Sequence, residues 1–324
     1  MTNCDLTPEK ILQEVFWGIQ ISTYVLFNKK FVKLRLMGYV SKIIRTSRPL
    51  FWFTHFTLLI FGGLQSTSFS FYKPQLILII LVFSLPFSLF IYAINDFYDL
   101  KSDLLNPRKG TIFGERHSNK TAKYLQTWGY TGLVVSLLAA YFISPMVLTL
   151  LVLLSVLLFF YSSATPHFKS IPLVDAVVGG GLYFYLTMVV GYFVFEGNQA
   201  NVVSTLVPAF MLVALVGLAG HLMGTVLDEE PDRKAETNTS AVFFGVNKVT
   251  LLCQLILIFC LYLSRNNWIF LLFISAFITI CTLGYSPKYR DNFLLQLIGG
   301  AFIPLTFFIA LLILYVVNPN LLKI

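Results

Sequence analysis

"YAINDFYDLKSDLLNPRKGT", residues 92–111, ends a long uncharged run with an asparagine, three aspartates and then a basic segment. Asn95, Asp96, Asp99 and Asp103 recur at three- and four-residue intervals. On a helix continuing from the apolar run they share one face. Three like charges that close repel and raise one another's pKa, so something cationic belongs among them. A second stretch, "LDEEPDRKAETNTSAVFFG" at 227–245, repeats the logic with Asp228 and Asp232 four residues apart and Glu230 and Glu236 nearby.

The solvent of this chain is lipid. Of its residues 57% are hydrophobic and 12% charged, where soluble domains average about 25% charged. Nucleic acid is not an expected partner; the lipid bilayer is. The expected fold is all-α, a polytopic membrane bundle, because lipid offers no partner for a free backbone amide. With about 20 apolar residues per crossing, about nine transmembrane helices fit. They fall near 50–72, 74–95, 122–143, 145–163, 171–195, 203–227, 249–264, 267–285 and 293–317. The uncharged run from Tyr124 to Pro166 is too long for one crossing, and Ser144-Pro145 supplies the break. Residues 1–46 form an N-terminal segment. In it an apolar stretch from Val15 to Phe27 precedes Lys29, Lys30, Lys33, Arg35, Lys42 and Arg45. That pattern reads as a membrane-surface helix and basic collar, with a short extra span as the other reading. Residues 47–317 form the membrane domain and 318–324 a tail. The N-terminus carries acids and a proline in place of a basic n-region, so no cleavable signal peptide is expected.

Charge placement orients the bundle. With the basic collar in the cytoplasm, the cytoplasmic loops are 96–121, 164–170, 228–248 and 286–292, and these collect most of the lysines and arginines. Both acidic clusters then fall on the cytoplasmic face of the cell (inner) membrane and can converge on one site.

An oxygen-only ligand set with no His or Cys favours a hard cation such as Mg²⁺, which binds through a few carboxylates plus substrate phosphates. Arg108, Lys109, Lys169, Arg233 and Lys234 supply charge for a polyanion. Together these suggest a diphosphate substrate. Either cluster alone would read as solvated surface; the pairing on one face lifts the site reading. The four cysteines show no metal spacing, and His55, His117 and His167 are scattered. Asp175 and His221 stand out because ionisable groups at membrane depth are costly and often functional.

"NDFYDLKSD" resembles the N-D-x-x-D-x-x-x-D signature of the UbiA superfamily of intramembrane prenyltransferases. "DEEPDRKAETNTSAVFFG" is similar to its second aspartate motif, "YSSATPHFKSIP" (161–172) to a loop carrying a Tyr and a Lys, and "SRPLFW" (47–52) to the segment opening the first span. The strings "LNPRKG" and "EPDR" look most like the lycopene elongase group. The resemblance implies a nine-helix bundle around a central cavity capped by cytoplasmic loops. It implies that Asn95, Asp96, Asp99 and Asp103 hold one Mg²⁺ and Asp228 and Asp232 a second. Lys169, Arg108, Lys109, Arg233, Lys234 and Asn95 would bind the diphosphate, with Tyr161 near the ionising carbon. Departures are Ala164-Thr165 and His167, where relatives often have a Pro-Pro pair and an arginine, and Glu236, where many have a small residue.

The implied activity is transfer of a prenyl group from an allylic diphosphate to a lipophilic acceptor, with a carotenoid such as lycopene as the acceptor that the elongase likeness implies. Three other readings stand beside it: a terpene cyclase without acceptor, an aromatic or glycerol-ether polyprenyltransferase, and a cation-binding transporter. Against the last, the carboxylates lie at helix ends, not at the midplane where carriers place their sites.

Overall fold

The computed structural model describes residues 38–110, 114–196, 203–265, 268–283 and 309. The chain divides into two compact units, Met1–Ile44 and Arg45–Ile324. The first lies almost wholly outside the described residues, as do the surface helix expected at 15–27, the span expected at 293–317 and the tail at 318–324.

Among the described residues the fold is all-α, without a strand. In chain order the helices of the second unit are α1 (Pro49–Leu64), α2 (Pro74–Ser84), α3 (Pro86–Tyr98), α4 (Leu100–Leu105), α5 (Asn119–Ile143) and α6 (Pro145–Ser162). Then come α7 (Val174–Glu196), α8 (Val203–Leu227), α9 (Glu229–Lys234), α10 (Ser240–Phe244), α11 (Val246–Leu263) and α12 (Trp268–Leu283). Five stretches are long and apolar enough to cross a membrane: Pro74–Tyr98, Pro145–Ser162, Val174–Glu196, Phe210–Leu227 and Val246–Leu263. Pro49–Leu64 is a shorter apolar helix. This is an integral membrane protein.

Prolines start four of these helices, where the missing N–H costs nothing. Ser144 breaks the chain as expected: its hydroxyl accepts from Val147 N at 3.2 Å and caps α6. The first expected span is too long. The helix stops at Leu64 instead of continuing to 72, because Ser66 and Thr67 turn back and bind Glu196 at the far end of α7. Ser66 Oγ lies 2.6 Å from the Glu196 carboxylate.

Pro86 interrupts the long span between α2 and α3. In lipid such a break persists only if neighbouring groups satisfy the freed backbone. Here the Phe83 carbonyl accepts from Ser88 Oγ at 2.6 Å and from His55 Nδ1 at 3.0 Å. With Nδ1 committed to that carbonyl, His55 Nε2 receives the Tyr183 hydroxyl. The whole cluster is buried, which answers for His55 as a structural histidine.

Helix α1 packs along α7, α3 along α5, and α8 along α11. The α1–α7 crossing depends on absent side chains. A Cβ at Gly62 would collide with the Met188 carbonyl, and one at Gly191 with the Leu59 carbonyl. Such reciprocal small residues let backbones touch where no hydrophobic driving force separates helix from lipid. Replacing Gly191 by leucine is expected to cost about 1–3 kcal/mol through overpacking. Thermal unfolding in detergent measures it; an unchanged melting temperature would contradict this packing.

Candidate active site

The two acidic motifs are built by one local device. Helix α3 ends at Tyr98, Asp99 bends the chain, and α4 carries on. The backbone ladder runs through the bend, with Asp99 N to Asn95 O at 2.9 Å and Asp103 N to Asp99 O at 2.8 Å. Helix α8 ends at Leu227, Asp228 bends, and α9 follows, with Asp228 N to Gly224 O at 3.1 Å and Asp232 N to Asp228 O at 2.9 Å. Each motif therefore keeps helical spacing while turning its carboxylates inward over the end of its own span.

The two motifs meet. Ser102 Oγ donates to Asp232 Oδ1 at 2.8 Å, and Asn106 Nδ2 to Asp228 Oδ1 at 2.5 Å. Within the first motif Asn95 Nδ2 donates to Asp99 Oδ2 at 2.5 Å. Lys169 links them, with Nζ 2.6 Å from Asp99 Oδ2 and 3.8 Å from Asp232 Oδ1. Lys109 Nζ lies 2.7 Å from both Asp96 Oδ1 and Asp103 Oδ2. Arg108 pairs with Asp228. The aspartates, Asn95, Arg108, Lys109 and Lys169 are all marked by the sequence, and the structure brings them together through Ser102 and Asn106, which the sequence does not single out.

It also adds residues that spacing could not reveal. Arg48 reaches Asp96 Oδ1 at 2.7 Å, with its guanidinium 4.3 Å over the Tyr92 ring. The backbone of Arg48 is left-handed, φ 50°, immediately before Pro49. The available signal was a lone arginine preceding the proline that opens a span. His117 Nε2 stands 3.6 Å from Asp96 Oδ2, too far for a hydrogen bond. Arg233 and Lys234, by contrast, are not brought into the cluster. They sit on the exposed side of α9 in i,i+4 pairs with Glu229 and Glu230, because a short helix turns only one face inward. Glu236 likewise points outward, against Lys101.

Asp96, Asp99, Asp103 and Asp232 are buried, not solvated as loop carboxylates would be. A buried charge is tolerable only if paired. Five carboxylates (Asp96, Asp99, Asp103, Asp228, Asp232) face four cations (Arg48, Arg108, Lys109, Lys169), so one negative charge is left over. The titration of the cluster reflects that mismatch. Burial pushes Asp103 up to about 7 against the opposing pull of Lys109, which it shares with Asp96. Burial raises Asp232 to about 6 although Lys169 opposes it. Burial also works against Asp228, but Arg108 outweighs it and holds that carboxyl below the usual range. Lys169 stays firmly charged: burial disfavours its ammonium, and Asp99 and Asp232 more than compensate.

Lys169 lies on a short 3₁₀ turn, Phe168–Ser170, whose seat is Asp175. The fully buried Asp175 carboxylate accepts from Ser240 N and Ala176 N, each at 2.7 Å, and from the Ser240 hydroxyl. Ser240 Oγ also accepts from Leu173 N at 2.8 Å. This clamp fastens the lysine loop to the hydroxyl-rich end of the second motif. Below it, the Tyr161 hydroxyl lies 3.0 Å from His221 Nε2.

As placed, no three Asp, Glu, His or Cys side chains among the described residues form a group able to hold a metal. Each carboxylate leans on a lysine or arginine instead. The donor set still suits a hard divalent ion. It is all oxygen, and the buried Asp96 Oδ2 has no hydrogen-bond partner among the described residues.

With this geometry in hand, the comparisons are consistent. The model of the UbiA prenyltransferase family matches residues 51–292. The chain belongs to the UbiA prenyltransferase family and is a membrane prenyltransferase. Lycopene elongase/hydratase of Haloarcula japonica is 28% identical over 251 residues, 72% of this chain and 77% of its own. Lycopene elongase/hydratase of Corynebacterium glutamicum is 28% identical over 221 residues, 65% of this chain and 71% of its own. A UbiA homolog from Archaeoglobus fulgidus, solved bound to DMAPP and Mg²⁺, superposes with a TM-score of 0.64 at 17% identity, over 83% of this chain and 96% of that one. At that identity the likeness speaks for the fold. Family membership also sets aside the transporter reading.

The raised carboxyls carry a stability consequence. An acid whose pKa is higher folded than unfolded stabilises the fold while protonated. Its contribution is full below the unfolded value near ~4 and fades as pH rises through the folded value. Asp232 and Asp103 place that loss between about pH 4 and about pH 7 in protein free of divalent ions. Asp228, lowered, contributes above ~4 and fades only on acidification. Thermal unfolding in detergent with chelator should therefore fall across the first window, and Asp103→Asn should flatten its upper part. A profile that rises with pH there would contradict the charge count.

Proposed function

We propose that this chain ionises an allylic prenyl diphosphate and transfers the prenyl group to a lipophilic acceptor in the membrane, a carotenoid such as lycopene, with Mg²⁺ as cofactor. The observation that carries the reading is the convergence of two aspartate motifs and four interleaved cations over the ends of apolar spans. The names of the two curated relatives support a carotenoid acceptor over an aromatic or glycerol-ether one. The site sits on the cytoplasmic face of the cell membrane, and residues 47–317 form the transferase domain.

Asn95, Asp96, Asp99 and Asp103 would hold one ion and Asp228 and Asp232 a second. Bound there, Mg²⁺ would neutralise charge developing on the departing diphosphate. The protein's own contribution is preorganised charge. Arg48, Arg108, Lys109 and Lys169 are held in place by the carboxylates before any substrate arrives. They would be released to a diphosphate as those carboxylates take up other cations, so the site exchanges one set of charge partners for another. Lys169, braced by Asp175 and Ser240, and Arg108, braced by Asp228, face the junction of the motifs and would grip the diphosphate from opposite sides. Arg233 and Lys234, facing away, take no part.

Tyr161 lies within electrostatic reach of Lys169, Asp99 and Asp232, which supports a role for its ring beside the carbon that loses the diphosphate. A ring face there stabilises an allylic cation. The apolar helices surrounding the site exclude water, which strengthens each of these interactions.

Diphosphate release from dimethylallyl diphosphate by the purified protein tests the reading. Asp96→Asn and Asp228→Asn should lower the Mg²⁺-dependent rate at least about a hundredfold while eluting like the wild type in detergent. Lys169→Ala should raise the apparent KM about tenfold or more, the value of a charge-assisted bond. Wild-type rates in either aspartate variant would refute the site.

A further inference from the structure

We infer that Tyr161 and His221 form the proton relay that ends the reaction by proton loss. The inference rests on the prenyl-transfer reading above and names a step that reading leaves without a residue.

Three observations meet at this pair. The first is contact: Tyr161 on α6 and His221 on α8 approach at 3.0 Å, hydroxyl to Nε2, with their rings nearly perpendicular at 85°. Both side chains are only partly covered, unlike the wholly buried His55 cluster. The second is depth. His221 precedes Asp228 by seven residues on the same helix, two turns along one face, or about 10 Å below the acidic motif. That is the level of the prenyl carbons when the diphosphate lies between the motifs. The third is the backbone opposite. Residues Val177–Leu182 of α7 widen into a π-helix carrying Gly179, Gly180 and Gly181. A Cβ at Gly179 or Gly180 would run into His221 itself. The turn is bare where the imidazole needs room, and π-segments of this kind recur at functional sites.

The surroundings suit a base and not a metal. The groups whose charges act on His221 are Asp175, Lys169 and Asp228, and those acting on Tyr161 are Lys169, Asp99, Asp175 and Asp232. The imidazole belongs to no group of three metal-ligating side chains among the described residues.

The step balances as follows. The C–O bond to diphosphate breaks and its electron pair leaves with the diphosphate. The acceptor's π pair forms the new C–C bond, leaving a tertiary cation on the acceptor. A C–H bond beside that cation then breaks, and its electron pair becomes the new double bond. The proton passes to the Tyr161 oxygen as Tyr161 gives its own proton to His221 Nε2. The imidazolium then gives its proton to water as the products leave, which restores the relay. Water capture competes with this step and yields an alcohol. Tyr161 touches the substrate; His221 acts through it.

The test compares wild type, His221→Gln and Tyr161→Phe, each with dimethylallyl diphosphate, Mg²⁺ and lycopene. Two quantities are read: diphosphate release, and the ratio of desaturated to hydroxylated prenylated product. Gln keeps a hydrogen bond to the tyrosine but cannot take its proton. The expected result is near-wild-type diphosphate release in His221→Gln with the alkene-to-alcohol ratio reduced about tenfold or more, at the low end of general-base contributions. Tyr161→Phe should shift the ratio the same way. An unchanged ratio would overturn the relay and leave diphosphate as the base. Parallel loss of release and product would make the pair structural, and a wild type giving only alcohol would also overturn it. If wild type releases no diphosphate from any donor, the prenyl-transfer reading itself fails. If it releases diphosphate but leaves lycopene untouched, the same ratio is read on the donor alone, as isoprene against dimethylallyl alcohol.

Discussion

Four buried carboxylates and a half-buried fifth cannot all stay charged without cations of their own, and the architecture around the site follows from that demand. Arg48 enters from the start of α1, Lys109 and Arg108 from the turn after α4, and Lys169 from the loop before α7. These are three separate parts of the chain, so neutralising the acids also ties those parts together. The arrangement is no simple gain in stability, since buried ion pairs roughly offset their own desolvation. Its value lies in presenting four positive charges, already desolvated and oriented, at one point above an apolar interior. A diphosphate is the kind of ligand that repays such a device.

The same constraint explains the local structure. A straight helix would have carried Asp99, Asp103 and their counterparts away into the aqueous phase. Bending at Asp99 and again at Asp228, with the hydrogen-bond ladder intact, folds each motif over its own span. Two copies of one device then face each other, and Lys169 closes the gap between them. Beneath, the bare π-turn of α7 admits His221 beside Tyr161, about two turns of α8 before Asp228.

Much of this was legible in the residues. The three- and four-residue spacing of Asn95, Asp96, Asp99 and Asp103 marked one face, and charge asymmetry put both motifs on one side. Those inferences needed only helical periodicity. What remained hidden depended on tertiary approach. Nothing about Arg48 in isolation tells that it reaches Asp96 across 48 positions of sequence. Arg233 and Lys234 share the composition of the true partners, and only the facing of a six-residue helix sends them outward. The first span was read too long because serine and threonine are tolerated in apolar helices. Their capture by Glu196 turns the chain at Leu64, and that is a contact between distant segments.

On the proposed function, carboxylates and basic groups hold one another until metal and diphosphate arrive together. Calorimetric titration of Mg²⁺ into the detergent-solubilised protein, with and without inorganic pyrophosphate, tests it most directly. Either ligand alone must strip a buried charge of its partner, whereas both together leave every charge matched. Pyrophosphate is expected to tighten Mg²⁺ binding by about tenfold or more, with the reciprocal effect on pyrophosphate. Independent binding, with the same Mg²⁺ affinity in both titrations once Mg²⁺–pyrophosphate association in solution is subtracted, would contradict it.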